Sequence, residues 1–78
     1  MGVAAFVLID VRGDHTKSAY KTITRIEGVQ AVHAVTGPYD LIVQVEAEHI
    51  EQLNDLVLTR IRSVDGVIKT STAIVLHS

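Results

Sequence analysis

The segment Val3-Ala4-Ala5-Phe6-Val7-Leu8-Ile9-Asp10-Val11 is apolar at every position but one. Its shortness and β-branched content read as a strand with two apolar faces. A strand of this kind constrains the rest of the chain, because each face needs a cover. Only 78 residues are available to supply it, enough for a single domain spanning 1–78. A domain of this size buries only about 60–65% of the surface its unfolded chain exposes. Small domains offset that deficit with disulfides, metals or association. The sequence has no Cys, which excludes disulfides and thiolate metal sites and leaves association as the expected remedy.

The remaining apolar residues are aliphatic: 12 Val, 8 Ile and 6 Leu against three aromatics. Val and Ile suit a pleated, half-buried surface, so a sheet is expected. No apolar run approaches the roughly 18–20 residues of a membrane span. Val3–Ile9 also lacks the basic flank and cleavage signature of a signal peptide. A cytoplasmic protein with no membrane partner is the expectation. The net charge of −2 argues against direct nucleic-acid binding through a positive field.

Arg12-Gly13-Asp14 ends the first strand, and Asp14 or Thr16 can cap a following helix. From His15 to about Ile26, Ala19, Tyr20, Ile23 and Ile26 form one helical stripe, and Gly28 stops it. Val29–Thr36 reads as a second strand, with Val29, Ala31, His33 and Val35 on one face and Gln30, Val32, Ala34 and Thr36 on the other. Gly37-Pro38-Tyr39-Asp40 is a tight turn by composition. Leu41–Ala47 is a third strand with Leu41, Val43 and Val45 inward, and the short connection makes it an antiparallel hairpin with the second. A second helix runs from His49 to about Val64, with Ile50, Leu53, Val57 and Ile61 on one face, and Val67–Leu76 is the last strand. The halves look alike: Thr24-Arg25-Ile26 precedes Gly28-Val29, and Thr59-Arg60-Ile61 precedes Gly66-Val67. The order β-α-β-β-α-β, repeated in this way, predicts an α+β, ferredoxin-like fold: a four-stranded antiparallel sheet with two helices on one face. That architecture leaves the other sheet face bare, and an exposed apolar sheet face is unusual for a monomer. A homodimer packed sheet to sheet follows, unless the small Ala4, Ala5 and Ala34 side chains suffice for contact with water.

Signals for catalysis are weak. The histidines at 15, 33, 49 and 77 have no i,i+3 or i,i+4 pairing, and no metal-binding spacing occurs. No serine lies in a nucleophile elbow, and the glycines form no phosphate loop. Lys17, Lys21 and Arg25 step along helix one, and Glu48, Gln52 and Asp55 along helix two. Solvated faces are the plain explanation; a contact of the basic stripe to nucleic acid or to an acidic partner is the functional one, and a helix-to-helix contact between subunits could join the two stripes. Two segments stand out. Thr36-Gly37-Pro38-Tyr39-Asp40 is either a simple hairpin turn or a cradle whose amides hold a carboxylate and whose Asp40 holds an ammonium. Thr70-Ser71-Thr72 is either ordinary β-propensity or a row of hydroxyls for a polar ligand or a neighbouring subunit.

The stretch from Gly28 through Thr36-Gly37-Pro38-Tyr39-Asp40-Leu41 to Val45 resembles the core of the effector domain of the Lrp/AsnC regulators. Leu53-Asn54-Asp55-Leu56-Val57, Ile61, Gly66-Val67 and Thr70-Ser71-Thr72-Ala73-Ile74-Val75-Leu76 continue the likeness. Full-length members carry a helix-turn-helix domain ahead of this one, and nothing in these 78 residues corresponds to it. The resemblance is to a stand-alone effector (RAM) domain and implies a dimeric α+β barrel assembled from face-to-face sheets. It also implies association of dimers into octameric or decameric rings, with free amino acids bound in clefts between dimers. Carried over, the ligand-binding residues are Gly37, Pro38, Tyr39 and Asp40, with Thr70 and Thr72 from strand four; His33 and Val35 lie nearby, and Tyr39 has an alternative role at the subunit contact. The implied function is non-enzymatic: effector binding without catalytic residues, metal or cofactor, regulating transcription of amino-acid metabolism, alone or in mixed assembly with full-length Lrp/AsnC regulators. Two alternatives remain: a cofactor-free enzyme of the dimeric α+β barrel type, and an ACT-like domain binding ligand at Arg12-Gly13-Asp14.

Overall fold

The computed structural model describes residues 2–77. Strand β1 (Val3–Val11) leads through a 3-10 turn (Gly13–His15) into helix α1 (Thr16–Thr24). Strands β2 (Val29–Ala34) and β3 (Leu41–Ala47) follow, then helix α2 (Ile50–Asp55), which continues as a wider π-helical stretch (Leu56–Ile61) before β4 (Val67–Ile74). The sheet order is β2-β3-β1-β4, antiparallel throughout. β1 is thus central, and β2 and β4 are the edges.

Alternation along β1 sorts its side chains into two sets. Ala5, Val7 and Ile9 are fully buried and Val11 is 5% exposed. They meet Leu41, Val43 and Val45 of β3, together with Ala19 and Ile23 of α1 and Leu53, Leu56, Val57 and Ile61 of the α2 segment, in one core. Both helices therefore cover the same sheet face, as the element order predicts. The core holds no buried polar or charged residue among those described. The other set of β1, Ala4, Phe6 and Leu8, faces away from the helices. Phe6 is 40% exposed, so the chain by itself covers one face of its central strand and leaves the other open.

The two halves repeat more closely than their sequences suggest, and with a different alignment. Val29 N–H donates to Ile26 O (3.1 Å), and Val67 N–H donates to Val64 O (3.1 Å). Each turn has glycine at its third position with positive φ, +98° at Gly28 and +94° at Gly66, the conformation glycine alone adopts freely. Each glycine carbonyl then accepts a strand N–H at 2.9 Å, Glu46 N–H onto Gly28 and Arg12 N–H onto Gly66. Each Gly-Val is followed by a bulge. β2 advances two residues, Val29 to Ala31, against one of β3, and β4 advances two, Val67 to Lys69, against one of β1. The extra residues are Gln30 and Ile68. The equivalent of Thr24-Arg25-Ile26 is therefore Arg62-Ser63-Val64, not Thr59-Arg60-Ile61.

The bulge also corrects the faces of β2. Simple alternation groups Val29 with Ala31 and His33. The extra residue Gln30 shifts the phase, so Val29 pairs with Val45 and joins Val32 and Ala34 on the helix-covered side. Ala31 and His33 take the open side, opposite Gln44 and Ile42. In α2, Leu56 is buried and Ile50 is 40% exposed, because Ile50 opens the helix at its outer end. Tyr20 on α1 is likewise 39% exposed.

His15 clasps the first corner to the second turn. Its Nδ1 lies 2.8 Å from Asp14 Oδ1 and its Nε2 3.3 Å from Asp65 Oδ2. The hydrogen bond from His15, and then the positive charge the ring carries when protonated, hold the Asp14 carboxyl below its ordinary range. A depressed carboxylate stabilises the fold above the ordinary Asp range, and that contribution disappears as pH falls through the lowered value.

A methyl group on Gly66 would collide with the Cβ and ring of His15, and one on Gly28 would sit 3.1 Å from Leu56 Cδ2. Gly28→Ala is expected to cost about 1–2 kcal/mol from the positive φ, and Gly66→Ala more. Gly13→Ala, with open space at its Cβ, should be near neutral, all three variants being read by urea titration.

Candidate functional site

The Thr36–Asp40 turn sits at the end of the sheet where β3 begins. Gly37 and Pro38 are exposed, and Tyr39 and Asp40 are half-buried. Asp40 is engaged three times by the fold. Its carbonyl accepts from Val35 N–H (3.0 Å), its own N–H donates to Ile9 O (3.0 Å), and its carboxylate Oδ2 accepts from Val11 N–H (2.8 Å). Ile9↔Leu41 is the last β1–β3 pair, so the carboxylate carries the ladder one bond further, onto the N–H beside the β4 bulge. This use of Asp40 is invisible in sequence, because Val11 lies 29 residues away.

Thr70 and Thr72 stand opposite Ile9 and Val7, on the helix-covered side of edge strand β4. Ser71 pairs with Leu8 and points to the other face, so the three residues are not one row of hydroxyls. Thr70 is half-buried and Thr72 exposed. In the repeat, Thr70 and Thr72 occupy the places of Val32 and Ala34, so the second half carries hydroxyls where the first carries apolar groups. Across the row Leu41–Ile9–Thr70, two strand spacings separate the turn from Thr70, roughly 10 Å. The predicted residues therefore share one end of the sheet without forming one pocket in a single chain. His33 lies on the open face opposite Ile42, away from Thr70 and Thr72.

A cleft of about 620 Å³ opens at the opposite end of the sheet. Its walls include Glu27, Glu46, Glu48 and Asp55, with Arg60 the single cation among the described residues, over Gly28, Ala47 and Leu56. Sequence inspection misses it because its residues come from five separated segments that only the fold brings together; Glu48 and Asp55 were readable as one polar face. Glu48 N–H donates to Gln52 Oε1, which ties down the start of α2. A second, smaller cleft of about 410 Å³ lies on the open face beside Phe6, Gln44 and Val75. Among the described residues, no three His, Asp or Glu side chains are grouped to hold a metal ion, and no buried side-chain polar atom lacks a partner.

Replacing Asp40 tests its place in the ladder. Asp40→Ala leaves the Val11 N–H without its acceptor and is expected to cost about 1–3 kcal/mol. Asp40→Asn keeps an oxygen there and should lose less than half of that, by chemical denaturation.

Comparisons with known proteins place this geometry. The model of the Lrp/AsnC ligand binding domain matches residues 4–78. An uncharacterized HTH-type transcriptional regulator of Pyrococcus horikoshii is 34% identical over 77 residues, which are 95% of this chain and 51% of that protein. The chain thus spans about half the length of this relative. A homocitrate synthase of Sulfolobus acidocaldarius is 40% identical over 72 residues, 88% of this chain but 15% of the enzyme. Among solved structures, TTHA0845 from Thermus thermophilus superposes with a TM-score of 0.92 at 37% identity, covering 97% of this chain and 95% of its own. The feast or famine regulatory protein of M. tuberculosis complexed with L-methionine superposes with a TM-score of 0.83 at 27% identity, covering 97% of this chain and 51% of that one. With its ferredoxin-like sheet and a family match running almost from end to end, the chain belongs to the Lrp/AsnC ligand-binding domains.

Proposed function

We propose that this domain is a non-enzymatic sensor of a free amino acid that assembles as a homo-oligomer in the cytoplasm. It regulates transcription of amino-acid metabolism without itself touching DNA. The observation that carries the reading is the superposition, over nearly the whole chain, on a regulator solved with L-methionine. The acidic balance of these residues supports the absence of DNA contact. The wholly apolar protomer core supports a binding rather than a catalytic role, since a barrel enzyme needs a polar cavity inside the protomer. The homocitrate synthase likeness spans only a small part of that enzyme and fits a regulatory module attached to a catalyst.

In this reading the amino acid sits between dimers. The amides at Gly37 and Tyr39 meet its carboxylate. Asp40 Oδ1, left free when Oδ2 accepts from Val11, meets its ammonium. Pro38 shapes the turn, and Thr70 and Thr72 of β4 supply hydroxyls to the same cleft. The distance between turn and threonines within one chain supports a site completed by another copy. The open face of Phe6, Leu8 and Ile42 supports the dimer: two such faces packed together give the central strands their second cover. Dimers joined in a ring of eight or ten chains, or mixed with full-length Lrp/AsnC regulators, complete the proposal.

A thermal-shift screen of the twenty amino acids tests the sensor. A ligand at tenfold over its Kd is expected to add about 1.4 kcal/mol, or roughly 6–11 °C in Tm for a domain of this size. No shift with any amino acid at millimolar concentration would sink it. Phe6→Glu is expected to convert the dimer to monomer in sedimentation velocity, and a variant that stays dimeric would refute the sheet-to-sheet contact.

A further inference from the structure

The exposed side of α1 carries Lys17, Lys21 and Arg25, four residues apart and all solvent-facing. Tyr20 lies beside them, 39% exposed. None of these cations is neutralised within the chain: among the described residues, the only side-chain ion contacts within 4.0 Å are made by His15 and His49. Among the described residues, three acids of the 620 Å³ cleft, Glu27, Glu48 and Asp55, equally have no Lys or Arg partner within 4.0 Å, while Glu46, opposite Ala4, points to the open sheet face. Three unpaired cations along α1 and its C-terminal cap thus complement a cleft whose three acids are offset, among the described residues, by Arg60. The two patches also adjoin, because Glu27 and Gly28 closely follow Arg25 and begin the cleft wall.

We propose that the α1 face of one copy docks into this cleft of a second copy, with Lys17, Lys21 and Arg25 meeting Glu27, Glu48 and Asp55 and Tyr20 packing at the centre. Because stripe and cleft adjoin on one molecule, a twofold contact makes both pairings at once. Aliphatic stems of the lysines cover Leu56 and Ala47 while their ammonium groups reach the acids. Lys17, Lys21, Arg25, Asp55 and Arg60 belong to the helical segments, on the side opposite the open sheet face, and Glu46, which points to the open face, takes no part in the contact. The contact therefore leaves the sheet-paired dimer intact and joins one dimer to the next. The inference rests on that dimer reading. Charge complementarity decides the occupant. A nucleic acid would meet the stripe but be repelled by the neighbouring cleft, whereas a second copy satisfies both.

The test uses three preparations of the full chain, each checked for folding by circular dichroism: wild type, a stripe variant (Lys21→Glu with Arg25→Glu) and a cleft variant (Glu48→Lys with Asp55→Lys). Sedimentation velocity at low and high salt reads the assembly. Wild type is expected to form species larger than a dimer that dissociate as salt rises. Each variant alone should remain dimeric, with association between dimers weakened roughly tenfold or more. Mixing the two variants restores opposite charges at both contacts and should restore the larger species. Larger species that ignore salt, or survive both reversals, would overturn the proposal. So would failure of the mixture to reassemble, or a DNA duplex that binds wild type and is lost with the stripe. Monomers in the wild type would instead refute the sheet-paired dimer, so the two failures are distinguishable.

Discussion

The centre of this domain is β1. β3 and β4 pair with its two edges, β2 joins through β3, and Ala5, Val7, Ile9 and Val11 share one core with buried residues of both helices. At about 25 cal/mol per Å² of apolar area removed from water, such burial is the main favourable contribution open to a domain with no cysteine and, among the described residues, no buried polar side chain. The chain supplies helices enough for one face only. What remains on the other, Phe6 and Leu8 with Ile42 beside them, is apolar surface that two helices of this length cannot reach. The proposed association follows from the same strand that organises the fold.

The Gly-Val-bulge device is used twice and explains how two half-sequences with little identity make one sheet. In each half a glycine with positive φ ends the helical connection, its carbonyl receives a neighbouring strand's N–H, and one extra residue shifts the strand's phase. The bulge places Val29 and Val32, or Val67 and Thr70, on the same face three residues apart, which plain alternation forbids. The halves then diverge. Both pairs lie on edge strands, but Val32 is buried in the core, whereas Thr70 is half-buried and Thr72 exposed on β4. Hydroxyls there stay within reach of water and are not desolvated.

Asp40 shows how a motif can be legible while its role is not. Its position after Gly37-Pro38-Tyr39 marks a special turn, and turn chemistry alone leaves open whether the carboxylate serves the chain or a ligand. The fold uses one oxygen to extend the β1–β3 ladder to Val11. The turn is thereby fixed against the central strand.

Local patterning was enough to set the element order, the antiparallel hairpin, the inward set Leu41, Val43 and Val45, and the two-faced character of β1. These depend on periodicity and turn chemistry, which neighbours along the chain express directly. Folding in three dimensions settled that Gln30 and Ile68 are bulged, that Leu56 rather than Ile50 fills the core, and that Thr70 and Thr72 lie two strands from the turn. It also gathered Glu27, Glu46, Glu48 and Asp55 into one cleft. Each of these outcomes depends on register and on contacts between distant segments, where the cost of a void or an unpaired N–H is settled by partners that no local window contains.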